Sequence, residues 1–131
     1  MNLSELRIGN IIYAWNGIEM VVRSIMDGSE LTGVLASELN PPKEFEGMQA
    51  SLCYAMIKPI PLTINWLLNF GFKEHIGEYE IRLKYGTLNI CPSRDWVFDI
   101  MMADGLGKME YVHQLQNLYH SLTGKELTLK K

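Results

Sequence analysis

The chain has 131 residues, 47% hydrophobic and 21% charged, with Lys+Arg 12 against Asp+Glu 15 and a net charge of -3. So many apolar side chains exclude a disordered polypeptide, and the slight acidic excess disfavours a protein that grips nucleic acid mainly by neutralising phosphates. Two cysteines, Cys53 and Cys91, are too few for a disulfide framework or a zinc cluster, and no stretch reaches the ~20 apolar residues of a membrane span.

Residues 1–6 lack the basic start and apolar run of a secretory signal, so reduced thiols in a cytoplasmic protein with no membrane contact are expected. The first element expected is a β-hairpin over residues 8–25. Asn16-Gly17 has the composition of a two-residue type I′ turn, which needs positive φ at both central positions. That turn sets Trp15 opposite Ile18, Tyr13 opposite Met20 and Ile11 opposite Val22 on one face. The reverse, wetter face then pairs Ala14 with Glu19, Ile12 with Val21 and Asn10 with Arg23. The aromatics Tyr13, Trp15 and Trp66 are read as core. A further strand is expected at 30–35, a proline-stiffened polar loop at 40–47, and strand geometry again over 50–57.

Lys58-Pro59-Ile60-Pro61 cannot be a helix interior, because each proline removes a backbone donor and restricts the residue before it. It reads as a linker inside one compact domain, between a β-rich lobe, 1–57, and an α+β lobe, 62–131. Thr63 offers an N-cap for a short, mostly buried helix through Phe70, closed by Gly71-Phe72. Tyr79, Ile81 and Leu83 alternate with Glu80, Arg82 and Lys84, the pattern of a strand with one wet face. Strands at 88–91 and 96–101 follow, separated by Pro92-Ser93-Arg94-Asp95, and Asp104-Gly105-Leu106-Gly107 reads as a turn. The last element is an amphipathic helix with Val112, Leu115, Leu118, Tyr119 and Leu122 in one apolar stripe, ended by Gly124, with Leu127 folding back. Its polar face carries His113, Gln114, Asn117, His120 and Ser121. The fold class expected is α+β: an SH3-like small barrel or curved antiparallel sheet, then a helix, an antiparallel meander and a C-terminal amphipathic helix.

Each residue with chemical potential also has an ordinary structural role. His113 and His120 stand two turns apart, roughly 10 Å along a helix, too far to share one ion, so no metal or other cofactor is expected. Cys91 as a nucleophile needs a neighbouring histidine and an anion-stabilising pocket, and an inert half-buried thiol is the simpler reading. Asp95, Asp99 and Asp104 have no recognised metal spacing, and no G-x-x-x-x-G-K-[ST], H-E-x-x-H or G-x-S-x-G string occurs. The favoured function is a non-catalytic accessory or protein-interaction module, its partner another protein or a second copy of the chain. Its candidate surface is His113, Gln114, Asn117, His120, Asn10 and Arg23. Two other readings compete: a nucleic-acid-associated module using Arg7 and Arg23, and a small enzyme using Cys91 or a histidine with an acidic residue.

Three blocks carry a resemblance. They are Glu5-Leu6-Arg7-Ile8-Gly9-Asn10; then Ile57-Lys58-Pro59-Ile60-Pro61-Leu62-Thr63 with Trp66-Leu67-Leu68 and Phe70-Gly71-Phe72; then residues 111–119 with Leu122-Thr123-Gly124-Lys125-Glu126-Leu127. Together they resemble a family of small proteins encoded by Bacteroidetes bacteria and their phages and mobile elements, a family with no established activity. The resemblance therefore implies a bacterial or phage setting and no particular chemistry. Ile64 and Asn65 stand where those relatives commonly carry acidic residues, and His120 and Ser121 where they often have an aromatic and a small residue. The opening strands also resemble the start of an SH3-like barrel, which implies a peptide-binding or nucleic-acid-binding role.

Overall fold

A computed structural model of the protein describes residues 5–27, 32–83, 86–100 and 106–130. The fold is α+β, and the chain divides into two compact units, Met1–Ile60 and Pro61–Lys131. Each unit holds one antiparallel sheet, in strand order β1-β2-β3-β4 in the first and β5-β6-β7-β8-β9 in the second.

The first sheet is built from β1 (Ile11–Tyr13), β2 (Glu19–Asp27), β3 (Thr32–Glu38) and β4 (Ala50–Cys53). The hairpin register differs from the expected one by a single residue: Ile11 pairs with Val21, Ile12 with Met20 and Tyr13 with Glu19. The connecting loop has three residues instead of two. Ala14 N donates to the Ile18 carbonyl at 2.9 Å, and Gly17 N to the Ala14 carbonyl at 2.9 Å. Gly17 alone takes a positive φ, +82°, so Asn16-Gly17 forms no type I′ pair; the glycine instead supplies the left-handed residue that ends a three-residue turn. Asn16 uses its side-chain oxygen to accept from Ile18 N at 3.2 Å.

A one-residue slip turns every side chain of a strand to the other face. Ile12 and Ala14 therefore point inward, joining Leu6, Met20, Val22, Val34, Ala36, Leu52 and Ile57 in the core of the first unit. Trp15, read from sequence as core, is instead 65% exposed. Further along β2 the register shifts between Val22 and Ser24, leaving Arg23 as the unpaired residue of a β-bulge. Because of that bulge Ile25 returns to the inner face and packs on the core. The pairing of Asn10 with Arg23 is thereby replaced: Val22 N donates to the Asn10 carbonyl at 2.9 Å.

Beyond Cys53 the chain leaves strand geometry for a 3-10 turn at Tyr54–Met56 and then bonds Lys58 to Tyr13 in both directions, covering the outer edge of β1. The four-stranded order has no β1–β4 pairing among the described residues, so this sheet is open rather than closed into a barrel. Of the expected strand at 30–35, residues 30 and 31 lie outside the described residues, and β3 runs three residues further than foreseen.

In the second unit, Thr63 caps α1 (Ile64–Asn69), its hydroxyl oxygen accepting from Trp66 N at 3.4 Å. The C-terminal end follows the glycine-cap pattern: Gly71 has φ +94°, Gly71 N donates to the Leu68 carbonyl at 3.0 Å and Phe72 N to that of Leu67 at 3.0 Å. The helix is not mostly buried as expected. Only Leu67 is buried within it, while Ile64 and Leu68 are exposed and Phe70 and Phe72 are buried just beyond it.

The three-strand meander expected here is five strands: β5 (Lys73–His75), β6 (Glu78–Leu83), β7 (Gly86–Cys91), β8 (Val97–Ile100) and β9 (Leu106–Lys108). Tyr79, Leu88 and Ile90 line the buried face, and Lys73, Glu80, Arg82 and Thr87 share the opposite face by register. Of the expected turn at 104–107, residues 104 and 105 lie outside the described residues, while Leu106 and Gly107 belong to β9.

The chain ends in α2 (Val112–Thr123), closed by Gly124 at φ +72°. At its start Gln114 Oε1 accepts from Glu110 N at 2.9 Å and Tyr111 N at 3.1 Å, satisfying two backbone donors. The buried face is rotated from the predicted stripe: Val112, His113, Leu115 and Gln116 are buried, whereas Leu118 and Tyr119 are half-buried and Leu122 is exposed.

Candidate functional site

Two of the residues proposed from sequence, His113 and Asn10, are buried. His113 is 1% exposed, its ring stacked on that of Tyr111 with centroids 5.9 Å apart. Asn10 is buried as well, because it closes a turn: its side-chain oxygen accepts from Arg7 N at 2.7 Å and its own N donates to the Arg7 carbonyl at 3.0 Å. Neither can meet a partner across solvent. Gln114 is half-buried and engaged at the start of α2, while Asn117 and His120 are half-buried further along the same helix. Arg23 is exposed at the bulge, where its Nε donates to Ser37 Oγ at 2.7 Å.

The residues with catalytic potential are separated by their structural roles. Cys91 ends β7 half-buried, 3.4 Å from Ser93 Oγ, and Cys53 is exposed on β4; both are free thiols. Asp95 takes a left-handed φ of +60° and forms an ion pair with Lys108. That carboxylate, first by hydrogen bonding and then by charge, holds the Lys108 ammonium above its ordinary 10.5. Residue 104 lies outside the described residues. Among the described residues no group of three or more His, Cys, Asp and Glu side chains is arranged to hold a metal ion.

One concavity of the first unit gathers mostly apolar residues. It is a cleft of about 330 Å³ that reaches down to the core-facing side of the sheet, where Met20, Ala36, Ala50 and Leu52 line it. One wall is the hairpin loop, with Trp15, Asn16 and Ile18; the other is the loop before β4, with Phe45, Met48 and Gln49. The cleft exists because of the hairpin register. Three residues between the strands carry Trp15 out past the edge of the core, and the 3-10 turn at Lys43–Phe45 raises Phe45 opposite it.

Phe45 is 47% exposed and Met48 59%, so the cleft gathers large apolar surface that the unit itself leaves wet. Its one charged lining residue is Glu38, which pairs with Met20 across β2–β3. A second depression of about 470 Å³ adjoins it, lined by Arg23, Ser37, Glu38, Phe45 and Glu46 among others. Arg23, the one sequence candidate that reaches this region, donates to Ser37 and keeps its charge, so with Glu38 and Glu46 the depression carries a net charge of about -1 from one basic and two acidic groups.

Sequence reasoning missed Ile18, Phe45 and Met48. The available signal was an aromatic inside an otherwise polar, proline-rich loop, where no periodicity assigns it to a core. No helix of the described residues is long and apolar enough to cross a membrane. Comparisons with protein-family models, with curated proteins and with solved structures found no match to this chain.

Proposed function

We propose that the protein is a non-catalytic interaction module that binds a short segment of a partner protein in the cleft between Trp15 and Phe45. The observation that carries the reading is the pair of exposed aromatics, Trp15 and Phe45, lining one cleft with Met20, Ala36 and Leu52, with Glu38 as the sole charged residue of the lining. Apolar anchors in a concave site, ringed by polar groups, are where binding energy concentrates in protein interfaces. The occupant that fits is a peptide presenting one bulky apolar side chain to the cleft, flanked by lysine or arginine to meet Glu38 and Glu46. An acidic flank would place like charges together and is disfavoured.

The sheet is open, so the likeness to SH3-like small barrels, which use aromatic-lined grooves for peptides, rests on the aromatic-lined cleft and the bulged β2 rather than on barrel closure. A bacterial or phage accessory role, in a reducing cytoplasm where both thiols stay free, is the setting we propose.

The test is selection from a random peptide library, followed by titration of the enriched peptides against the wild type and Trp15→Ala. Enrichment of apolar residues with basic neighbours is expected, with binding weakened about 30-fold in the variant, the effect of losing an interface anchor worth ~2 kcal/mol. Trp15 is exposed, so its removal should leave the unfolding midpoint nearly unchanged. Failure to enrich any peptide, or binding indifferent to Trp15→Ala, would refute the cleft as the site.

A further inference from the structure

Three cations of the second unit converge on one depression. Lys73 comes from β5, Arg82 from β6 and Lys130 from the segment after α2, and together with Phe70, Gly71, Glu80, Ile81 and Thr87 they line a hollow of about 580 Å³. Register places Lys73 beside Glu80 and Arg82 beside Thr87 on one face of the sheet. Lys130 is brought there by two local devices. Its backbone N donates to the Asn69 carbonyl at 2.6 Å, and its side chain lies across Gly71, where an added Cβ would come within 2.9 Å of Lys130 Cε. A residue other than glycine at this position would push the ammonium away.

None of the three cations has a salt-bridge partner among the described residues, although the chain as a whole is acidic. Glu80 is the one carboxylate in the lining, so the hollow carries a net charge of about +2 from three basic groups and one acidic group. Holding three cations against a single carboxylate is unfavourable for folding, and a bound anion would relieve it.

We infer that this hollow binds the phosphate monoester of a small organic molecule. A phosphate monoester carries about two negative charges at neutral pH and three strong acceptor oxygens, which matches the local excess and the number of donors. The hollow also lies within the roughly 300–1,000 Å³ range of small-molecule sites. The site is made wholly of the second unit and stands independently of the peptide cleft.

Amide chemical-shift mapping at low ionic strength tests it, using inorganic phosphate, a nucleoside monophosphate, a sugar phosphate, the unphosphorylated nucleoside and a short single-stranded oligonucleotide as separate probes. Saturable shifts around Lys73, Arg82, Thr87 and Lys130 are expected with a monoester, weaker ones with inorganic phosphate and none with the nucleoside. Whichever of the two monoesters binds more tightly identifies the organic part.

Arg82→Gln or Lys130→Gln should weaken binding about tenfold, the loss expected for one charge-assisted hydrogen bond, and Glu80→Gln should strengthen it by removing the opposing charge. The inference is overturned by an absence of saturable shifts at these residues, or by titrations unchanged in both Arg82→Gln and Lys130→Gln. It is equally overturned if Lys130→Gln lowers stability but leaves phosphate binding intact, which would make Lys130 only a cap for α1. An oligonucleotide that binds more tightly than every monoester would overturn it in favour of a nucleic-acid surface.

Discussion

At the scale of single residues, Tyr79 combines burial with a charged neighbour. Its hydroxyl donates to Glu74 Oε2 at 3.1 Å across the β5–β6 pair. Desolvation first, then this hydrogen bond and the carboxylate's charge, raise the phenol above its ordinary 10.0. The folded chain thus holds the phenolic proton more tightly than the unfolded chain does. Its stabilising contribution is complete below the unfolded value and is lost as pH rises through the folded one. The protein is expected to lose stability above about pH 10, and Tyr79→Phe to lose less over the same interval. Urea titrations at neutral and alkaline pH measure the difference; an equal alkaline loss in both proteins would contradict it. Asn10 shows how a polar residue before a strand misleads a reading by pattern. Its alternation suits a wet strand face, but the preceding Gly9 at φ +99° makes residues 7–10 a turn that the asparagine closes internally.

At the scale of elements, glycine placed the turns in the sequence but did not set their lengths. Gly17, Gly71, Gly77 and Gly124 all take positive φ, and the two helix ends among them were legible because a helix offers a single geometry for its closing glycine. A hairpin offers several, so Asn16-Gly17 suits a two-residue turn by composition yet belongs to a three-residue one. The paired positive-φ positions that a type I′ turn requires occur instead at Ile76 and Gly77, between β5 and β6, with φ of 50° and 77°. That hairpin was invisible because Lys73, Glu74 and His75 are all exposed and show no alternation.

Ile76 is a β-branched residue in the left-handed region and is 90% exposed, so it gains almost no burial in return for its strain. Ile76→Asn should therefore raise stability by about 1 kcal/mol, since asparagine tolerates that conformation. The denaturation midpoint checks this, and an unchanged or lowered midpoint would contradict the turn geometry. The last helix was legible in extent but not in orientation. Its hydrophobic spacing cannot anticipate that His113 and Gln116 are buried in place of Leu118, Tyr119 and Leu122.

At the scale of the whole molecule, the α+β class and the order of most elements could be read from alternation, capping residues and prolines. The position of the candidate site could not, because it depends on one residue of register in the first hairpin. In both the expected and the observed pairing, Met20 and Val22 of β2 face inward; what changes is β1, which offers Ile12 and Ala14 to the core in place of Ile11, Tyr13 and Trp15. Interiors are packed to near-crystalline density, so a Trp15 turned inward would need space that Ile12 and Ala14 do not take up. Turned outward, the same indole becomes a wall of the cleft.

The peptide-binding account therefore stands on where Trp15 points. Relaxation of the three tryptophan indole N–H signals by a soluble paramagnetic agent, in the unmodified protein, measures this directly. The account predicts that the Trp15 signal broadens most and that the half-buried Trp66 and Trp96 respond less. A Trp15 signal protected as well as theirs would put the indole in the core, restore the two-residue register and remove the cleft.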